Sequence, residues 1–243
     1  MNGKNEKLSV TFVMIAMLFC VCLVISNFLE TKLFHVYGSL NLTCGFLIFP
    51  ITYILNDCIA EVWGYAKARF VIWIAFILDF IAVALCGASC LLPPVEDGAD
   101  AAFCEVFAFA PQVAVASFVA FIIGSFLNAW VMSVMKIAHR DNGRKDYYFS
   151  LRAIASTRVG ESADSLVFFP LAFYLLPMLF EGQPKVSAWL LVDLMLTQVA
   201  AKTLYEVLVL PLTIRLVKRL KCSEGIETYD DNVSYNPLKI TQI

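Results

Sequence analysis

The chain is divided by tracts that carry no Asp, Glu, Lys or Arg. Leu8 to Leu29 is 22 residues long, Phe80 to Val95 is 16, Val106 to Met135 is 30 and Ser165 to Phe180 is 16. A soluble domain places about a quarter of its residues in charged side chains. Here 16% of 243 residues are charged, 60% are apolar and the mean hydropathy is +0.76. Because about 20 apolar residues cross ~30 Å of hydrocarbon, the pattern predicts an all-α, polytopic integral membrane protein. It excludes a soluble enzyme, a disordered chain and a nucleic-acid binder. Helices are expected because a helix satisfies its backbone hydrogen bonds within one segment, and the ten-residue alternation of a β-barrel is absent.

Turn residues and charges delimit six expected transmembrane helices: Leu8–Leu29, Leu42–Trp63, Ala66–Leu92, Val106–Met135, Thr157–Phe180 and Ala188–Val217. Basic residues mark the cytoplasmic loops. Lys4, Lys7, Lys67, Arg69, Lys136, Arg140, Arg144, Lys145, Arg152, Arg158, Arg215, Lys218, Arg219, Lys221 and Lys239 fall on one side, and only Lys32 and Lys185 on the other. Both termini are therefore expected inside (N-in/C-in), with a transmembrane domain over 1–221 and a cytoplasmic tail over 222–243. The expected outer loop from Pro93 to Glu105 carries only acidic charges: Glu96, Asp97, Asp100 and Glu105. The first span is too long for the apolar region of a signal peptide and lacks a clear cleavage site, so it is expected to remain. The eight cysteines form no metal-ligand spacing, although Cys90 and Cys104 flank the outer loop and can pair in an oxidising compartment. His35 and His139 are isolated. No metal site, cofactor or catalytic residue is expected.

Charges remain inside the expected spans: Asp57, Glu61, Asp79, Glu161, Asp164, Asp193, Lys202 and Glu206. Each costs about 2.5 kcal/mol or more at a helix centre, so such groups face partners or a water-filled cavity and mark pathways. Asp57 and Glu61 share one helix face, as do Glu161 and Asp164, and Lys202 and Glu206. At 1.5 Å per residue, Asp57, Asp164 and Glu206 lie ~9 to ~13 Å from the cytoplasmic ends of their helices, with Lys202 at ~20 Å. Three helices thus present carboxylates at similar depth beneath a cation. Asp79 either lines the cavity or is simply buried, and Asp193 lies near the outer interface. Asn27, Asn56, Asn128, Thr52 and Gln198 add polar groups between helices.

Carboxylates accept hydrogen bonds and suit a ligand with adjacent N–H donors, such as the ring N–H and exocyclic amine of a guanine-like base. Phe49, Tyr53, Phe168, Phe169, Phe173 and Tyr205 are placed to stack on a flat heterocycle or to pack the bundle. Pro50, Pro170, Pro177 and Pro211 can each interrupt a helix beside a cavity.

The segments GFLIFPITYILNDCIAEVWGYAKAR (Gly45 to Arg69), STRVGESADSLVFFPLAF (Ser156 to Phe173) and AKTLYEVLVLPLT (Ala201 to Thr213), with Ser26-Asn27 and the tail YDDNVSYNP (Tyr229 to Pro237), resemble the queuosine precursor transporter family. That family is also called vitamin uptake transporter-like. The resemblance implies import of 7-deazaguanine bases, such as 7-cyano-7-deazaguanine, its aminomethyl analogue or queuine, across the bacterial cytoplasmic (inner) membrane for transfer-RNA modification. It points to Asn27, Asp57, Asp164 and Lys202 as substrate-binding residues, supported by Phe49, Phe168, Phe169 and Ser156. Glu61, Glu161 and Glu206 join the expected site through the charge argument. Arg69, Pro50 and Gly160 are expected to have structural or gating roles. The small-molecule substrate and the lipid bilayer are the expected partners. Oligomeric state, including a homo-oligomer, and the choice between proton coupling and facilitation stay open.

Two further readings compete. A substrate-binding component of an ATP-energised uptake system would need a separate energising module, since no Walker motif is present. An intramembrane enzyme is disfavoured, because GESADS (Gly160 to Ser165) departs from the GxSxG nucleophile elbow.

Overall fold

The computed structural model describes residues 9–37, 40–96, 98–138, 145–179 and 186–225. Helix α1 (Val10–Leu29) opens on a Ser9 cap, whose hydroxyl accepts from the Phe12 N–H at 3.0 Å. An antiparallel hairpin of β1 (Leu33–Tyr37) and β2 (Leu40–Thr43) follows, then one 3-10 turn (Cys44–Leu47) and α2 (Phe49–Trp63). Next come α3 (Tyr65–Ser89), α4 (Ala101–Ala138) and α5 (Lys145–Pro170). Helix α5 passes through a π-helical turn (Leu171–Leu175) into the short α6 (Leu176–Leu179), and α7 (Ala188–Glu224) completes the bundle. Lys4, Lys7, Asp97, His139, Arg140, Arg144, Lys185, Lys239 and the segment Tyr229 to Pro237 lie outside the described residues.

Among the described residues, Val10–Leu29, Tyr65–Ser89, Ala101–Asn128 and Arg158–Leu179 are long and apolar enough to cross a membrane. They carry large apolar side chains on the outside of the bundle, for example Leu85 at 66% exposure and Leu166 at 59%, as a lipid-facing surface requires. The chain is thus an all-α, multi-pass membrane protein with one small hairpin. The other two expected spans take different forms. Helix α7 has 37 residues and carries Asp193, Lys202 and Glu206 along its apolar stretch.

The span expected to start at Leu42 becomes helical only at Phe49. Leu42 and Thr43 belong to β2, and Cys44–Leu47 form the 3-10 turn. Pro50 explains the late start: it occupies the first turn of α2, where its missing N–H has no intrahelical partner to lose. Fifteen residues give α2 a length of ~22 Å, less than the ~30 Å of hydrocarbon. At its other end, Gly64 turns the chain into α3 with φ 93°, a left-handed conformation that residues with a Cβ rarely adopt.

Two apolar clusters flank the centre of the bundle. Phe19, Leu23, Tyr53, Ile59, Phe76 and Phe121 join α1 to α4, and Val113, Ala116, Phe169, Phe173 and Leu194 join α4, α5, the π turn and α7. Helices α4 and α5 approach closely where Gly124 faces Gly160: a Cβ on Gly160 would stand 2.8 Å from the Gly124 carbonyl oxygen and 2.9 Å from the Asn128 Cβ. Gly160→Ala is expected to destabilise the protein. Overpacking against backbone costs about 1–3 kcal/mol, more than the roughly 1 kcal/mol of helix propensity that alanine supplies. A lower thermal midpoint of the purified variant checks this, and an unchanged or raised midpoint contradicts it.

Cys90, just past α3, and Cys104, in the first turn of α4, form a disulfide with 5.6 Å between their Cα atoms. Closing a loop of this size stabilises by about 3 kcal/mol on the chain-entropy model. Cys104→Ser is therefore expected to lower the thermal midpoint by several degrees, and reductant is expected to do the same to the parent protein but not to the variant.

Candidate functional site

Helix α7 places Gln198 and Lys202 four residues apart, both buried. The Lys202 ammonium stands 3.3 Å from Asp164 Oδ2, 3.3 Å from Ser165 Oγ and 4.2 Å from the centre of the Phe49 ring. Its contacts therefore join α7 to α5 through a salt bridge and a hydroxyl, and to the start of α2 through a cation–π contact. Pro50 fixes where α2 begins and so places Phe49 at the end of the helix beside the ammonium. The desolvated ring contact is worth about 2 kcal/mol. Removing one member of a buried ion pair costs about 3–5 kcal/mol, because the other charge is stranded.

Around this junction Asn27, Glu30, Phe49, Ser117, Asp164, Phe168, Phe169 and Lys202 line a small cavity. The space between them admits about one water molecule. Two carboxylates and one ammonium face it, with three aromatic rings. The Phe168 and Phe169 rings are 5.2 Å apart and edge-on, and Phe169 stacks on Phe173 at 5.7 Å.

Of the residues expected to bind substrate, Asn27, Phe49, Asp164, Phe168 and Lys202 meet at this cavity. Glu161, one turn before Asp164 on α5, is buried but is not part of the lining. The half-buried Asp57 shares an electrostatic neighbourhood with Glu161, Asp164 and the buried Tyr53 hydroxyl. Glu206 is half-buried on α7 and also stands outside the lining. Glu61 is brought elsewhere: it pairs with Lys221 near the end of α7. Arg69 is buried on α3 with its guanidinium 5.5 Å from the Tyr65 ring centre, and Asp193 accepts from the Asn41 amide of β2 at 2.8 Å.

Glu30 and Ser117 belong to the lining but were not expected from the sequence. Glu30 immediately follows the first charge-free tract. The signal was its spacing: it stands three residues after Asn27, on the same face of α1. The Thr43 hydroxyl neighbours the Glu30 carboxyl, and Gln198 Nε2 donates to Thr43 Oγ1 at 3.2 Å. Gly45 packs so closely on the carboxyl that a Cβ there would overlap it. Asp79, left open by the sequence, is fully buried behind Asn27 and accepts from its Nδ2 at 2.8 Å. Asp79 therefore orients Asn27. Among the described residues no three His, Cys, Asp or Glu side chains are grouped to hold a metal ion.

This geometry coincides with a recognisable family. The family model described as "Putative vitamin uptake transporter" matches residues 43–216, from the end of β2 through most of α7, and so includes every lining residue except Asn27 and Glu30. The chain is also 28% identical over 151 residues to the "Probable queuosine precursor transporter" of Bacillus subtilis (strain 168). That match covers 62% of this chain and 64% of the relative, so it spans less than two thirds of that protein's length. No solved structure matches the chain. Since the family model covers well over half of its residues and most of the helices that build the cavity, the chain belongs to the vitamin uptake transporter family.

Proposed function

We propose that the protein imports queuosine precursors of the 7-deazaguanine class across the bacterial cytoplasmic membrane, by alternating access around the Lys202 cavity. One observation carries the reading: a buried cavity combines carboxylates, an ammonium and aromatic rings, and its central ion pair joins two helices. Carboxylates accept from the N–H edge of such a base, the ammonium donates to its carbonyl, and the rings stack on its faces. The family and the named relative favour a transport role and this substrate class.

Lys202 has a second task in this mechanism. Without substrate it ties α5 to α7 through Asp164. A base that engages Lys202 or Asp164 replaces that bond with bonds to itself, which frees the two helices to move. The cavity is too small for a bicyclic base as it stands, so movement is required for binding as well as for release. Asp57, Glu161 and Glu206 then line the cytoplasmic half of the route. The N-in/C-in arrangement puts the Cys90–Cys104 disulfide on the outer face, where an oxidising compartment keeps it formed.

The test is a bacterium unable to make queuosine that expresses only this protein as an importer. Low concentrations of each deazaguanine precursor are expected to restore modified transfer RNA with at least one of them. Absence of modification with every precursor, at normal membrane abundance of the protein, overturns the proposal.

A further inference from the structure

Two acceptors at the C-terminal end of α1, Asn27 in its last turn and Glu30 at its cap, line the cavity, and each has an oxygen buried without a hydrogen-bond partner among the described residues. They are Asn27 Oδ1 and Glu30 Oε2. Neither side chain is loose. Asp79 holds the Asn27 amide nitrogen, while Gly45 and the Thr43 hydroxyl, itself bonded by Gln198, enclose the Glu30 carboxyl. Glu30 is only 4% exposed, and the absence of a side chain on Gly45 makes room for it. A buried acceptor with no donor is destabilising, and more so when charged. Four elements (α1, the hairpin, the 3-10 turn and α7) position this one. Asp164 differs because its Oδ2 already has Lys202, and Glu161 differs because it stands outside the lining. The lining thus holds two acceptors with unpartnered oxygens, Glu30 and Asn27, and one donor, Lys202.

We propose that Glu30 is the specificity-determining acceptor for the exocyclic amine of the transported base, beside Asn27 on the ring N–H and Lys202 on the carbonyl oxygen. This rests on the function proposed above and assigns one group of the substrate to one side chain. A site built around an acceptor for an N–H discriminates strongly against an analogue that lacks it, because the acceptor is then left unpaired.

The experiment compares 7-deazaguanine with 7-deazahypoxanthine, the same bicycle without the exocyclic amine, in binding to the full chain in lipid nanodiscs. The parent protein is expected to prefer the amine-bearing base at least tenfold. Glu30→Gln, which keeps shape and the Thr43 contact, is expected to weaken 7-deazaguanine at least tenfold and 7-deazahypoxanthine less than threefold, so the preference collapses. Thr43→Val retains the carboxylate but removes the neighbouring hydroxyl, and is expected to reduce the preference partially. An unchanged preference in Glu30→Gln, or an equal loss for both bases, overturns the role of Glu30 alone. If Glu30→Gln does not fold, an unchanged preference in Thr43→Val overturns it. Binding of neither base by the parent protein overturns the proposed substrate class instead.

Discussion

Lys202→Met is expected to reduce the initial rate of precursor uptake at least 100-fold at matched membrane abundance, and to lower that abundance as well. Methionine has similar length and fills the same space, so the loss reports the ammonium. Three contacts disappear together: the 3.3 Å bonds to Asp164 and Ser165 and the ring contact with Phe49. Asp164 is then left as a buried carboxylate without its cation, a penalty of about 3–5 kcal/mol. At about 1.4 kcal/mol per tenfold, that penalty corresponds to a decrease of two orders of magnitude or more in the folded-to-unfolded ratio. Uptake by Lys202→Met within a factor of three of the parent would remove Lys202 from the mechanism.

The double variant Lys202→Met, Asp164→Asn is expected to separate stability from transport. With both charges gone, no ion is stranded, and a buried pair replaced by neutral groups of similar volume is often as stable as the original. Membrane abundance and thermal midpoint should therefore recover most of what Lys202→Met loses, while uptake stays at background. Recovery of uptake along with stability would show that the pair serves only folding. By contrast, Asp193→Asn is expected to reduce uptake less than threefold, because Asp193 sits by the hairpin, bonded to Asn41, and outside the cavity lining.

The sequence revealed the features that hydropathy controls. Charge-free tracts located α1, the later part of α3, α4, and the end of α5 with the π turn and α6, because burying one charge in hydrocarbon outweighs most local preferences. The same rule found Lys202 and Asp164. It could not rank the other carboxylates, because it measures depth along a helix but not rotation about it. A step of four residues turns a helix ~40° past a full turn and advances ~6 Å. That is enough to take Glu206 out of a lining that Lys202 occupies, and Glu61 to Lys221.

The hairpin was hidden for another reason. Leu40, Leu42 and Thr43 form part of an apolar run continuous with α2, and hydropathy does not distinguish a strand from a helix within it. Pro50 was the local clue, being favourable at the start of a helix and costly inside one. Glu30 was lost at a boundary: one residue beyond an uncharged tract reads as solvent-facing unless the next segment folds back over it, as β2 and Gly45 do here.

The short α2 changes what has to move on one side of the membrane. A full-length helix would seal that side with ~30 Å of rigid rod, and exposing the cavity would require tilting it. Here α2 is preceded by a two-stranded ribbon, fastened to α7 by Asn41 to Asp193 at 2.8 Å and by Gln198 to Thr43 at 3.2 Å. At about 0.5–1.5 kcal/mol for a neutral hydrogen bond and 1.5–3 for one to a charged group, releasing both fastenings costs roughly 2–5 kcal/mol. Local opening of such a ribbon falls on the microsecond-to-second timescale of loop and local-unfolding motions. Under the proposed N-in/C-in transport cycle, the outer opening is a loop motion and the helix rearrangement across the Lys202–Asp164 pair is the slower step.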